Sequence, residues 1–386
     1  MKGLTAAVAL MKTGNLTRRG VVLALVSVTA FLSTATASGQ GTDRCFGERV
    51  TIVGSGVVTG TAGNDVIVGS AEADTIEGMG GNDLICGLDG DDILVGGLGN
   101  DQLDGAAGAD TVVGDVSAVE GDVAGGGNDL LLGGDGAEVT LVGDSRTTFG
   151  NASGGGNDVI LAGNGDDGRI TGDSVAIFGD ATGGGNDVIE GGEGDDGMRG
   201  DSGAPLAGSA TGAGDDVLRG GPGIEFVVGD SEALAGAHGS GGNDLIDLGA
   251  DGGFVAIGDH NINAPASEGG GSATGAGNDT IIGGSFDDLI VGESSVADAR
   301  VTAAGHDVLI GRGGNDTIFG DNVNFFADQT VGTAGGQDRL EGNAGDDLLR
   351  AGPANDSLDG DAGSDDCDGE GGTDRTSGCE VLAGVP

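Results

Sequence analysis

The sequence predicts an all-β solenoid, a chain wound into stacked coils rather than folded around one globular core. From Gly60 to Val113 it repeats every nine residues without interruption, reading GTAGNDVIV, GSAEADTIE, GMGGNDLIC, GLDGDDILV, GGLGNDQLD and GAAGADTVV. Each unit has an aspartate at its sixth position (Asp65, Asp74, Asp83, Asp92, Asp101, Asp110) and an aliphatic residue at its eighth (Ile67, Ile76, Ile85, Leu94, Leu103, Val112). Composition agrees: 89 of 386 residues are glycine and 5 are proline, there is no tryptophan or tyrosine, and glycine does not recur at every third residue as in collagen. A thin aliphatic core shared by like units fits this usage, whereas an aromatic-filled one does not.

Taken in chain order, residues 1–37 read as an export signal. Lys2, Lys12, Arg18 and Arg19 precede the apolar run 21–32, and Ala35-Thr36-Ala37 offers a small-residue cleavage site, with cleavage expected after Ala37. The general secretory route is expected over the twin-arginine route, which Thr17-Arg18-Arg19-Gly20 resembles only in part. The apolar run is short for a membrane span and no later stretch is longer, so a soluble, extracellular protein without a transmembrane segment is expected. Removing the signal takes away 4 of 15 basic residues and none of the 63 acidic ones, leaving 63 − 11 = 52 net negative charges. Such a polyanion excludes nucleic acid and anionic membranes as partners and favours cations.

Residues 38–59 form an N-terminal cap, in which the segment 53–60 reads as a repeat that has lost its Asp-bearing turn and its cation site. Strict nonapeptides fill 60–113. From 114 to 341 the GGND-like element places Asp129, Asp158, Asp187, Asp216, Asp244, Asp279, Asp307 and Asp338 at spacings of 29, 29, 29, 28, 35, 28 and 31. A Gly-Asp element keeps step at Asp115, Asp144, Asp173, Asp201, Asp230, Asp259 and Asp321, with Glu293 filling one place. Twenty-nine is two nonapeptides plus eleven, so each middle unit predicts a coil of two short strands in which one turn stays tight and the other is lengthened into a Gly-Ala-Ser-rich stretch. Strict nonapeptides return over 342–378 with Asp347, Asp356, Asp365 and Asp374, and 379–386 is a tail. Twelve or thirteen coils are expected, a rod of about 60 Å at a strand spacing of roughly 4.8 Å.

Successive nonapeptides alternate between the two sides of a coil, which sorts the aspartates into two columns. One contains Asp65, Asp83, Asp101, Asp129, Asp158, Asp187, Asp216, Asp244, Asp279, Asp307, Asp338, Asp356 and Asp374. The other contains Asp74, Asp92, Asp110, Asp167, Asp196, Asp288, Asp316, Asp347 and Asp365, with Glu138 and Glu225 in place of Asp and a gap at Gly253. Glycines at the first and fourth positions permit tight backbone geometry that turns carbonyl oxygens inward, and the aspartate completes an oxygen-rich turn. Stacked turns of this kind suit calcium, which takes six to eight oxygens in flexible geometry, better than magnesium. Zinc lacks its ligands, because His238, His260 and His306 are scattered singly and the cysteines form no CxxC.

These units resemble the RTX, or haemolysin-type, calcium-binding nonapeptide GGxGxDxUx over roughly residues 60–378. The resemblance implies a parallel β-roll holding several calcium ions between successive turns on the same side, bound by backbone carbonyls and by the aspartates of both columns. The long turns depart from the family repeat, so coordination from Asp129 to Asp338 is expected to be less regular than on the tight side. There Gly253 is expected to weaken a site, and Glu138 and Glu225 to distort theirs. The opening CFGERVTIVG, with ICG later, is similar to small secreted calcium-binding proteins of high-GC bacteria.

Cys45, Cys86, Cys367 and Cys379 lie at the two ends of the array. Pairing Cys45 with Cys86 and Cys367 with Cys379 keeps partners close in sequence and would fix the exposed solenoid ends, while Cys367, at a core-facing eighth position, has a free buried thiol as its alternative. Gly143-Asp144-Ser145 and Gly200-Asp201-Ser202-Gly203 resemble hydrolase nucleophile motifs but sit at the repeating Gly-Asp position with no histidine in phase, so no catalytic residue is expected. The expected function is that of a secreted calcium-binding protein whose roll folds on extracellular calcium. The alternative is an adhesin whose long turns contact a cell surface or glycan. Neutral insertion is the other reading of those turns.

Overall fold

The computed structural model describes residues 43–262, 264, 272–296 and 304–385, so the export-signal reading of 1–37 lies outside the described residues. Within them the regular elements are strands, and no helix is long and apolar enough to cross a membrane. The residues after each aspartate form a short strand, as in Val66–Val68, Thr75–Glu77, Ile93–Val95 and Thr111–Val113. Val66–Val68 pairs in parallel with Leu84–Asp89, whereas the intervening Thr75–Glu77 pairs with Ile93–Val95. Alternate nonapeptides therefore feed two different sheets, and one coil is one strand of each. The eighth-position side chains meet between the sheets with no solvent exposure: Ile67, Ile76, Ile85, Leu94, Leu103 and Val112. That stripe continues through Leu131, Leu141, Ile160, Ile170, Ile189 and Met198 as far as Leu358 and Cys367. Each such side chain contributes roughly 1.5–3 kcal/mol of burial, so the core is built from many equal small increments.

Both long sheets contain 14 parallel strands, more than the twelve or thirteen coils expected. The chain ends account for the difference. Ile52–Val53 and Val57–Thr59 form a complete first coil without an Asp-bearing turn, and Arg375–Ser377 with Val381–Ala383 form the last. Strand pairing requires only backbone groups and an inward side chain such as the buried Val58, so a coil survives loss of its cation turn. The Cys45–Cys86 and Cys367–Cys379 disulfides close the two ends, and Cys367 is therefore not a free thiol. At the N-terminal end the antiparallel pair Arg44–Cys45 and Glu48–Arg49 lies over the first coils, with Phe46 packed against Val68 and Cys86.

In the middle coils the long, Gly-Ala-Ser-rich turns are themselves paired strands. After Thr140–Val142 the chain runs through Arg146–Phe149, reverses at Gly150, returns as Ala152–Ser153 and re-enters the roll at Val159–Asn164. Repeated along the stack, these excursions build sheets of 8 and 6 parallel strands among the described residues. Val123, Ala152, Ala181, Ala210 and Ala237 face Ala176, Ala204 and Ala233 in a second buried cluster, separate from the Ile/Leu stripe. Alanine carries little hydropathy but leaves room for two sheets to approach closely, so this core does not read as one in the sequence. Its outer turn has its own ladder: the Asn151 N–H donates to Asp122 at 2.9 Å, Asp180 to Asn151 at 3.0 Å and Ser209 to Asp180 at 2.9 Å.

Candidate metal centre

Each turn aspartate is pulled inward by the coil before it. Along the first column the backbone N–H of one aspartate donates to Oδ1 of the next, from Asp65 through Asp83, Asp101 and Asp129 to Asp158, each at 2.7 Å. The chain of bonds continues through Asp187, Asp216, Asp244, Asp279, Asp307, Asp338 and Asp356 to Asp374 at 2.7–2.9 Å. The second oxygen, Oδ2, is buried without a hydrogen-bond partner in Asp83, Asp101, Asp129 and the later members to Asp374. The first glycine of the unit leaves space beside that oxygen. A Cβ on Gly78 would strike both Asp83 Oδ2 and the Gly96 carbonyl oxygen, so donors from two successive coils converge where a side chain would otherwise stand. The donor set is carboxylate and carbonyl oxygen only, which fits a hard divalent cation of the calcium class and not zinc.

On the tight side Asp74, Asp92 and Asp110 are linked in the same way at 2.7–2.8 Å, and Glu138, Asp167 and Asp196 at 2.7–3.0 Å. The ladder breaks where glutamate replaces aspartate. Both carboxylate oxygens of Glu138 and of Glu225 are buried without a partner, because the extra methylene carries them past the neighbouring N–H. Gly253 supplies no carboxylate to the turn before it, although its own N–H donates to Asp288 Oδ1 at 2.8 Å. Asp288, Asp316, Asp347 and Asp365 then continue at 2.8–2.9 Å, and Glu380, which the sequence reading missed, ends the ladder on the Asp365 N–H at 2.9 Å. The hydrogen-bond ladder is thus unbroken in the long-turn column and interrupted in the tight one. Register there is set by strand pairing between neighbouring coils, whatever the length of chain that intervenes.

The Gly-Asp series, read from sequence only as a marker of phase, supplies a third column. Asp115, Asp144, Asp173, Asp201, Asp230, Asp259, Glu293 and Asp321 are all fully buried. Each follows the glycine at which the chain leaves the roll for the alanine-lined compartment, which places it opposite the turn aspartates. Burial, and then the neighbouring Asp144 carboxyl, pushes Asp115 up to about 9, while burial and Asp158 push Asp144 to about 9. Burial raises Asp129 and Asp158 to about 8, and raises Asp187, Asp216 and Asp244 well above the usual carboxylate range. In the strict segment, burial raises Asp83 and Asp92 only to about 6. The periodicity of the Gly-Asp pairs was the available signal, but their convergence with the turn aspartates depends on the return path through the second compartment. Of the histidines, the buried His260 lies 3.8 Å from Asp230 Oδ2 and accepts the Ser231 N–H at Nδ1 (3.2 Å), with burial lowering its basicity.

A parallel β-roll whose stacked turns present buried, unpartnered carboxylate oxygens is the framework of a cation-binding repeat protein. The family model described as RTX calcium-binding nonapeptide repeat (4 copies) matches residues 59–94, 87–116, 123–141, 181–205, 210–231, 274–295, 301–324, 333–367 and 341–375. These matches cover more than half of the chain, and the protein belongs to the RTX calcium-binding repeat family. No curated protein matches it.

Proposed function

We propose that this protein is a secreted calcium-binding β-roll that folds when it meets extracellular calcium. The observation that carries the reading is the repeated buried Oδ2 with no protein partner, present in turn after turn of both aspartate columns. Calcium seated between successive turns would supply the missing partner and cancel the repulsion within each column. Extracellular sites commonly bind at about 0.1–1 mM, so cytosolic calcium would leave the chain open and external calcium would close it. The signal-like residues 1–37 and the two terminal disulfides support an oxidising, extracellular setting. Ser145, Ser174, Ser202 and Ser231, the serines of the four Gly-Asp-Ser runs, are 0% exposed, which supports a binding rather than a catalytic role. Far-ultraviolet circular dichroism during a calcium titration tests the proposal. A spectrum unchanged from zero to several millimolar calcium, with no bound metal, refutes it.

A second reading, contact with an anionic glycan or cell-surface partner, is favoured by one feature of the long-turn region. Arg146, Arg169 and Arg199 line a shallow groove with Thr140, Thr171 and Val175 in an otherwise strongly anionic protein. The Arg146 Nε has no hydrogen-bond partner, while Arg199 is engaged by Glu232. Binding of the calcium-loaded protein to acidic glycans, lost in Arg146→Ala/Arg169→Ala with the calcium-induced spectrum unchanged, would support this role. Equal binding by both proteins would dismiss it.

A further inference from the structure

In the strict nonapeptides the second position holds Thr61, Ser70, Met79, Leu88, Gly97 and Ala106, none of which offers a carboxylate. In the middle coils the corresponding residue, after the glycine that faces the turn aspartate, is the Asp of the Gly-Asp pair. Gly143 is such a glycine: a Cβ there would strike Asp158 Oδ2 and the Gly172 carbonyl oxygen, and Asp144 follows it. The nonapeptide repeat does not account for these added carboxylates.

The added carboxylates form a continuous set with the turn aspartates. Ligand-capable atoms of Asp115, Asp129 and Asp144 lie within 4.8 Å of one another, as do those of Asp144, Asp158 and Asp173, of Asp173, Asp187 and Asp201, and of Asp201, Asp216 and Asp230. All nine residues are buried, at most 3% exposed. Both oxygens of Asp115 and of Asp201 lack any hydrogen-bond partner, as do Oδ2 of Asp144 and Asp173 and the turn-aspartate Oδ2 atoms that face them. An unpaired buried carboxylate is among the costliest groups a fold can hold, and a row of them calls for positive charge. No described arginine makes an ion pair with any of the nine.

Resting on the calcium-binding reading, we propose that a further row of divalent cations runs along the waist between the Ile/Leu core and the alanine core. One cation sits in each of the four three-carboxylate groups from Asp115 to Asp230. Each coil contributes two carboxylates to this waist, one from the Gly-Asp pair and one from the turn, and the Gly-Asp carboxylate of the next coil completes each group of three. The oxygen-only donor set selects the calcium class. These ions would join the alanine-lined compartment to the roll, so that the long turns are held in place by metal as well as by strand pairing.

The Gly-Asp carboxylates can be tested separately from the turn aspartates. Asp173 belongs to two of the groups and Asp115 to one, so at saturating calcium Asp173→Asn should bind two ions fewer than the unmodified protein and Asp115→Asn one fewer. Metal would be counted by equilibrium dialysis with elemental analysis, and folding followed by circular dichroism. Folded variants with the unmodified protein's stoichiometry overturn the proposal. An unmodified protein that binds no calcium overturns the broader calcium reading instead. Should a variant fail to fold, anomalous diffraction from the unmodified protein soaked in a lanthanide decides: peaks among Asp144, Asp158 and Asp173 are expected, and peaks confined to the nonapeptide turns refute the waist row.

Discussion

Protons should substitute for calcium in holding this roll together. The perturbation is removal of calcium with a chelator, followed by acidification from pH 8 to pH 5, which stays above the isoelectric point of about 4.1. In the folded chain burial raises Asp115, Glu138, Asp144 and Glu293 to about 9, and Asp129, Asp158, Glu225 and Asp321 to about 8. In the unfolded chain the same groups return to about 4. Between these limits the folded state binds more protons than the unfolded state, so stability falls as pH rises. The contribution is complete below about pH 4 and gone once pH has passed 8 to 9. Each group acting fully supplies about 1.4 kcal/mol per pH unit within that window. Neighbouring carboxyls share protons, so only a quarter of the eight is counted here; two groups across pH 7 to 5 still contribute about 5 kcal/mol, comparable to the net stability of many domains. Urea melts of the calcium-free protein followed by circular dichroism should therefore show more β-structure and a higher midpoint at pH 5 than at pH 8. Calcium added near pH 6.5 should release protons. A calcium-free chain equally unfolded at both values, or more stable at pH 8, would refute the reasoning.

Other expectations follow from particular residues. Glu138→Asp, which restores the length that lets Oδ1 accept the preceding N–H, should raise the calcium affinity of the tight side, measurable as a lower calcium midpoint; an unchanged or higher midpoint argues against the ladder as the ordering element. Gly172→Ala would drive a Cβ into the Gly200 carbonyl and the Asp187 carboxylate, costing about 1–3 kcal/mol or more, whereas at Gly168 a Cβ meets nothing within 4 Å and alanine should change stability by less than about 1 kcal/mol. Equal thermal shifts for the two variants would contradict the packing described. Loss of Cys45–Cys86, which closes 41 residues, should cost about 4 kcal/mol, and loss of Cys367–Cys379, which closes 12, about 3 kcal/mol, read from urea melts of the calcium-loaded protein. A larger loss at the C-terminal bridge would show that docking of its cap, rather than chain entropy, dominates.

Counting alone was enough to place Asp65 and Asp374, 309 residues apart, in one column, because a solenoid converts sequence period into spatial position. The disulfide partners were legible for a related reason, since only the two ends of a stack need closing. The long turns were not legible. Ala152, Ala181 and Ala210 recur at 29-residue intervals, yet their weak hydropathy among many glycines resembles linker composition rather than a core. The distortion expected at Glu138 and Glu225 takes a definite form only in the structure, where both carboxylate oxygens of each are buried without a hydrogen-bond partner.

The sequence by itself determined the period, the two aspartate columns, the aliphatic stripe between them and the oxygen-only chemistry that points to calcium, since each is a property of a single repeat copied along a stack. Only the tertiary structure decided that the long-turn column is the continuous one and that Asp144, Asp158 and Asp173 meet at a buried waist. That meeting requires the chain to leave the roll after Gly143, fold back at Gly150 and pack alanine against alanine before returning. It also requires a carboxylate from the next coil. Contacts made between coils, across a path closed by small side chains, leave no signature within any one repeat.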